Sequence, residues 1–184
     1  PLWKEMAELG WIGIPFAEDH GGAGLGLAAL AGVLVALGRG LAPEPFLCTV
    51  LLGGGALERA GSDAQREQWL PGVVEGETIL TLATQGPRSR YDLHVTGATA
   101  AAQGGGFRLD GEKIQVLDGH VADALLVSAR TGGSEGDAEG VSLFLVPKDA
   151  PGLTVTRQHR VDDRNAALVR LDGVEVPADA LVGE

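Results

Sequence analysis

Apolar residues change their spacing once along this chain, near residue 79. Before that point the period is helical. Leu2, Met6 and Leu9 fall at i, i+4 and i+7, one face of a helix that Gly10 is predicted to stop. Leu27, Leu30, Leu34 and Leu37 repeat the spacing, and alanines and valines make the other faces nearly as apolar. The second helix is therefore predicted to be buried on most sides, with "GRGLAPEP" ending it. After the glycine-bearing segment "LLGGGALERAG", Ser62 stands three residues before Gln65. That capping-box spacing predicts a helix carrying Trp69 and Leu70, which Pro71 is expected to kink or end. The first 76 or so residues read as an all-helical unit.

From Ile79 onward the period is two. "ILTLAT", "LHVTGATA", "FRLDGEKIQVL", "ADALLVSAR", "VSLFLVP", "LTVTR" and "ALVRLDGVEV" are short runs rich in Val, Leu and Thr, separated by Gly, Asp and Pro turns. They predict an antiparallel sheet or barrel, with the polar stretch "TGGSEGDAEG" (131–140) as a hairpin loop. Helices first and strands second argue for two packed units rather than alternating βαβ. The expected fold class is α+β: a helical domain over residues 1–78, then an antiparallel β-barrel-like domain over 79–184.

Charge narrows the functional classes. A formal net charge of −11 and a pI near 4.7 provide no basic field for a phosphate backbone or an anionic membrane surface, so nucleic acid is not expected as a partner. The apolar stretch Leu25 to Leu37 is shorter than the ~20 residues of a spanning helix and is interrupted by Gly32. The single cysteine, Cys48, cannot close an internal disulfide, and no charged and apolar leader opens the chain; a cytoplasmic protein is expected. A chain that begins at Pro1 and ends on "ALVGE" reads as processed or truncated.

Short motifs offer little by themselves. "GLGLAA" (24–29) fits a dinucleotide-binding fingerprint, with Glu44 at roughly the distance of a ribose-binding acid. Glu44, however, lies in "APEPF", where two prolines prevent a central strand, so a glycine loop entering a helix is preferred. Asp118, His120 and Asp123 in "DGHVAD" could surround a metal, but no second ligand cluster accompanies them and a solvated turn explains them equally; no metal is expected. Cys48 reads as a small buried hydrophobe. Neither a G-x-S-x-G elbow nor a Walker loop occurs in the sequence.

Longer phrases carry more. "LWKEMAELGWIGIPFAEDHGGAGLG" is similar to "LAELGLLGLLIPEEYGGLGL", "GSDAQREQWLPGVVEGE" to "GTEEQKRRYLPPLASGE", and "LDGVEVPADALVGE" to the phrase that closes a middle β domain. In this order and spacing they resemble the acyl-CoA dehydrogenase family over nearly the whole chain. The resemblance implies flavoenzymes with a helical N-terminal domain, a β middle domain and a helical C-terminal domain.

In that family two strands of the middle domain hold FAD, one written "LTEPGAGSD" and one "KTWITNGG". "TLATQGPRSRYD" stands at the first, so the resemblance places Leu82, Ala83 and Thr84 at the cofactor. Ser89 becomes the counterpart of the motif serine beside substrate and flavin, in a segment one residue longer than the family's. "KIQVLDGH" stands at the second: Lys113 and Gly119 align, Gln115 replaces the aromatic, Leu117 the second threonine and Asp118 the asparagine. Gln115, Val116 and Leu117 are thereby expected at the cofactor. An isoalloxazine needs an apolar wall and a few donors at its N and O edges, which strand ends and their backbone amides supply. The other reading of Gln115 is a side chain facing solvent on an alternating strand.

The family's α-proton base belongs to the C-terminal helices, so no catalytic residue is assigned among residues 1–184. The expected function is FAD-dependent α,β-desaturation of an acyl-CoA thioester, carried here by a portion lacking the C-terminal domain. The resemblance also implies an electron-transfer flavoprotein-type acceptor and a homo- or hetero-oligomer. Departures at Gln115, Leu117 and 85–91 keep two alternatives open: a non-catalytic or half-site subunit of a heteromeric dehydrogenase, and a binding module that reuses the fold.

Overall fold

The computed structural model describes residues 2–183, so Pro1 and Glu184, the outer ends of the two expected domains, lie outside the described residues. The chain divides into two compact units, Pro1–Leu80 and Thr81–Glu184.

In the first unit, α1 (Leu2–Glu8) runs into Gly10, which takes a φ of 73°. Met6 is the buried member of its predicted face; Leu2 and Leu9 are exposed. The helix is tied down by Trp3, whose Nε1 donates to the Gly76 carbonyl at 2.8 Å and whose ring meets Phe46 edge-on at 6.4 Å. α2 (Gly26–Arg39) follows the predicted spacing, but Leu30 is its one buried residue, with Leu27 43% and Val35 55% exposed. This corrects the expectation of burial on most sides. An all-round apolar helix needs cover all round, and the described residues supply it on the Leu30 side. Gly24 and Gly26 adopt positive φ in the loop entering α2, with no strand leading in, so "GLGLAA" lacks the strand of a dinucleotide fold.

The glycine-bearing segment becomes a π-helical stretch, Leu47–Gly54, continuing into α3 (Gly55–Ala60). Its glycines make room for a ring: a Cβ on Gly54 would lie 2.6 Å from the fully buried Phe16. α4 (Asp63–Val74) opens with both arms of the capping box, Gln65 N donating to Ser62 Oγ at 3.2 Å and Ser62 N to Gln65 Oε1 at 3.0 Å. Pro71 does not end it. The ring lacks one donor, but the last turn closes beyond it, with Glu75 N donating to the Pro71 carbonyl at 3.0 Å.

The second unit is built on eight strands: β1 (Leu80–Ala83), β2 (Ala98–Gln103), β3 (Gly106–Leu117), β4 (Ala124–Arg130), β5 (Val141–Pro147), β6 (Leu153–His159), β7 (Asn165–Pro177) and β8 (Leu181–Val182). The fold is α+β, and the sheet is open rather than closed into a barrel. Its order is β6-β7-β3-β2-β4-β5-β8, with β1 added against β4. The β2–β3, β3–β7, β4–β5, β5–β8 and β6–β7 pairs are antiparallel, whereas β2–β4 is parallel, with Thr99 meeting Arg130. The polar stretch 131–140 is the β4–β5 connection, as its composition predicts. The core includes Leu109, Leu125, Val127, Phe144 and Val169, interleaved with alanines 83, 98, 100, 129 and 167.

One predicted strand is shorter than its pattern: "LHVTGATA" forms a strand only from Ala98. Residues 85–97 instead make a loop whose neck is a glycine crossing. A Cβ on Gly86 would stand 2.6 Å from the Gly97 Cα, so the two backbones touch where any side chain would hold them apart.

Candidate functional site

The end of β1 lies beside an irregularity in β3. Register between β3 and β7 passes from Lys113↔Val169 to Val116↔Ala167, so Ile114 and Gln115 oppose Leu168 alone, which is a β-bulge. Gln115 takes a φ of 55° there and its side chain is exposed. The bulge frees Ile114 N to donate to the Gln85 carbonyl at 2.8 Å, while Thr81 Oγ1 donates to the Leu117 carbonyl at 2.6 Å. These two bonds clamp β1 along the bulged half of β3. The segments 82–84 and 115–117, far apart in sequence, are thus brought together. Ala83 and Val116 are buried, Leu82, Thr84 and Leu117 half-buried.

Beneath this junction lies Lys113, with no solvent exposure. Its Nζ donates to the Thr84 carbonyl at 3.2 Å, to Ser128 Oγ at 2.9 Å and to the Thr96 carbonyl; Ser128 Oγ in turn donates to the Thr84 carbonyl at 3.2 Å. Three neutral oxygens satisfy three ammonium protons, and none brings a negative charge. Burial alone pushes the ammonium down to about 7.

Arg130, two residues along β4 from Ser128, performs a second bracing. Its guanidinium donates to the carbonyls of Gly132, Asp137 and Glu139 in the β4–β5 connection and to that of His94 in the 85–97 loop, at 2.6–3.0 Å. Two loops that share no sequence are fixed by one planar fork.

A groove of about 370 Å³ opens here, with Thr84 and Ser128 at one polar part of its lining, Ser142 as a further hydroxyl, and Leu93, Val141, Leu143 and Val182 among its apolar walls. The volume falls in the range of small-molecule sites, and the lining is the mixture such sites use.

The remaining sequence candidates fall as follows. Ser89 is buried; its hydroxyl accepts from Gly86 N at 2.7 Å and donates to the Val95 carbonyl, so its oxygen is engaged in closing the 85–97 loop. Asp118 is buried at a φ of 51°, and Asp123 holds Lys148 Nζ at 2.6 Å. His120 Nδ1 is buried and has no hydrogen-bond partner among the described residues; burial foremost, then Arg157, lowers its affinity for a proton, against the opposing pull of Asp118. Among the described residues no group of three His, Cys, Asp or Glu side chains is arranged to hold a metal. No helix of the described residues is long and apolar enough to cross a membrane. Sequence reasoning missed the roles of Lys113, Ser128 and Arg130. The one signal in the sequence was a serine and an arginine at i and i+2 in the otherwise apolar run "ALLVSAR".

The bulge makes a first prediction. A left-handed conformation costs an ordinary L-residue roughly 1–2 kcal/mol, and more a β-branched one. Gln115→Gly is expected to leave stability unchanged or raise it by up to about 1 kcal/mol, whereas Gln115→Val is expected to lower it by about 1–2 kcal/mol. Urea midpoints of the two variants measure the difference; equal midpoints would contradict the bulge geometry.

The acyl-CoA dehydrogenase N-terminal domain model matches residues 1–77 and the acyl-CoA dehydrogenase middle domain model matches residues 81–174. The chain belongs to the acyl-CoA dehydrogenase family. Acyl-CoA dehydrogenase FadE27 of Mycobacterium tuberculosis is 36% identical over 182 residues, covering 99% of this chain and 46% of the relative. Among solved structures, the ChsE4-ChsE5 complex from Mycobacterium tuberculosis superposes with a TM-score of 0.88 at 36% identity, covering 99% of this chain and 47% of that one. A glutaryl-CoA dehydrogenase from Mycobacterium smegmatis in complex with FADH2 matches at a TM-score of 0.87 and 27% identity, over 98% of this chain and 46% of that one. The chain spans about half the length of the relatives it matches.

Proposed function

We propose that this chain supplies the flavin-facing half of an FAD-dependent acyl-CoA dehydrogenase that introduces an α,β double bond into an acyl-CoA thioester. The observation that carries the reading is the meeting of the β1 end with the β3 bulge, where Thr84 at the end of β1 also lines the groove. The donor set fits the group: residues 82–84 and 115–117 offer strand-end backbone beside aliphatic surface, and Thr84 and Ser128 place hydroxyls in the groove lining. Bound FAD would accept the hydride leaving the β carbon of the thioester. The chain's own residues orient and shield: Thr81 and Lys113 fix the β1 end, Gln115 lies on the exposed side of the bulge, and Ser89 acts on substrate only through the loop it closes. The base that takes the α proton is assigned to the portion of the relatives beyond the matched segment. The partner proposed to take the electrons from the enzyme is an electron-transfer flavoprotein-type acceptor.

Two departures from the family's flavin strands favour a second form of the same reading, a half-site subunit in a heteromeric dehydrogenase. Gln115 stands where the family has an aromatic, and the Ser89 hydroxyl is engaged within its own loop. The superposition on one member of a two-component complex agrees with it.

The test is FAD titration of the chain, followed by anaerobic flavin bleaching with a panel of acyl-CoAs, with and without a co-expressed second dehydrogenase-like chain. Losing even 3 kcal/mol of cofactor contacts weakens binding about two orders of magnitude, since each 1.4 kcal/mol is tenfold. The chain alone is expected to bind FAD weakly and to bleach little. Addition of the complementary chain is expected to tighten binding by about a hundredfold and restore bleaching. Rapid bleaching by this chain alone would place a base within it and overturn the assignment. An absence of FAD binding in every combination would overturn the enzyme reading.

A further inference from the structure

Lys113 is a buried cation surrounded by three oxygens from three different segments, Thr84 at the end of β1, Thr96 at the close of the 85–97 loop, and Ser128 in β4. Two of the three residues, Thr84 and Ser128, line the groove. The hydrogen-bond directions around it are fully determined. With three protons, Nζ donates to all three oxygens, so Ser128 Oγ has no proton to meet from its own side and turns its hydroxyl to the Thr84 carbonyl. With two protons, Nζ keeps a lone pair that one neighbour must fill. Carbonyl oxygens cannot donate; the Ser128 hydroxyl can.

We infer that Lys113 is a positioning residue that sets the Thr84 and Ser128 part of the groove lining through its proton. In the ammonium form the Ser128 hydroxyl is committed to the Thr84 carbonyl. In the amine form the hydroxyl turns to Nζ, and the Thr84 carbonyl loses that donor. One proton leaves Lys113 and goes to solvent; the Nζ–H···Oγ bond to Ser128 and the Ser128 O–H···O bond to Thr84 are both given up, one O–H···N bond from Ser128 to Nζ forms, and no other group changes protonation. A ligand that presents negative charge or an acceptor oxygen to this part of the groove favours the ammonium form, so occupancy there is linked to proton uptake.

No other titratable group takes over the role. β1 and β2 carry none. On β3, Arg108 and Asp110 pair with each other at 3.1 Å, and Glu112 lies 3.7 Å from Arg170 of β7. The single titratable group of β4 is Arg130, occupied by loop carbonyls, and the loop's Arg88, Arg90, Asp92 and His94 are exposed. None of these makes an ion pair with Lys113 among the described residues.

Composition makes the test direct, because the chain has three lysines, Lys4, Lys113 and Lys148. Lys148 sits on Asp123 and titrates above the ordinary range, so a lysine resonance moving near neutrality identifies Lys113 without a variant. With 13Cε-lysine labelling, one resonance is expected to titrate with a midpoint near 7. The carbonyl carbon of Thr84 is expected to shift with the same midpoint, because it loses a donor as the amine forms. Ser128→Ala is expected to abolish most of the Thr84 shift while leaving a lysine titration, a separation that a purely structural lysine would not produce. Three lysine midpoints all at or above 10, or a Thr84 carbonyl that ignores the Lys113 titration, would overturn the inference. The readouts contain no flavin: a chain that binds no FAD defeats the enzyme reading and leaves this one to the spectra.

Discussion

Between about pH 7 and 10.5, the chain with Lys113 is expected to gain as much as about 5 kcal/mol of stability relative to Lys113→Met, with the difference flat below pH 6. The sign follows from which state binds the proton. Burial holds the folded lysine near 7, while the unfolded side chain keeps its ordinary value near 10.5. Below both values the two states are protonated alike, and the folded state carries the full cost of a desolvated cation. Between them the unfolded chain binds a proton that the folded chain does not, so stability rises with pH, by at most about 1.4 kcal/mol per unit. Urea denaturation at half-unit steps from pH 5.5 to 10 measures it. Subtracting the Lys113→Met curve cancels every other titrating group, and parallel curves would show that the ammonium is not desolvated as the structure has it.

How much of this was legible in the sequence differs residue by residue. Ser62 and Gln65 announced their helix start because a capping box is local: both partners lie within one turn. The change of period near residue 79 announced the α+β division for the same reason, and most strands followed the alternation. α2 was misjudged for a reason that hydropathy contains. Leu27 and Val35 show that a face is apolar, whereas cover is a property of what packs against it. Pro71 misled because a proline removes one donor, and the turns around it can hold the helix without that bond.

The site was legible only as two segments. Nothing in a glutamine signals a φ of 55°, a conformation for which Gly, Asn or Asp is the usual marker, so the Gln115 bulge could not be read. The Lys113 cage requires residues 84, 96 and 128 to meet, which only the sheet order brings about. Ser89 shows the reverse case. A motif position located it, but its two hydrogen bonds to Gly86 and Val95 depend on a loop closed by the Gly86–Gly97 crossing, and that crossing carries no signature beyond two glycines.

Phe144→Ala is expected to cost about 3–5 kcal/mol, enough to remove a fifth or more of the 5–15 kcal/mol typical of a domain. Phe144 is fully buried on β5, in register with Val127 of β4 and Leu181 of β8, and its ring lies 4.9 Å from that of Phe107. The cost depends on whether neighbours can close the hole. Its cross-strand partners Val127 and Leu181 are held in register by the β4 and β8 pairings, and the core around them is interleaved with alanines at 83, 98, 100, 129 and 167, which have no length to fill the space of a ring. The cavity then stays open, and the loss lies at the upper end of the range for its chemistry. Phe144→Leu, which keeps much of the volume, is expected to cost about 1–2 kcal/mol. Tyr91→Ala, at a fully exposed ring on the 85–97 loop, is expected to stay within about 0.5 kcal/mol of wild type. Chemical denaturation followed by far-UV circular dichroism ranks the three. Because Leu143 faces the groove from the adjacent position of the same strand, Phe144→Ala is also expected to broaden the 13C signals of the groove walls. A loss below about 1.5 kcal/mol for Phe144→Ala would mean that the β5 side of the sheet repacks freely, and the groove could not then be a preformed site.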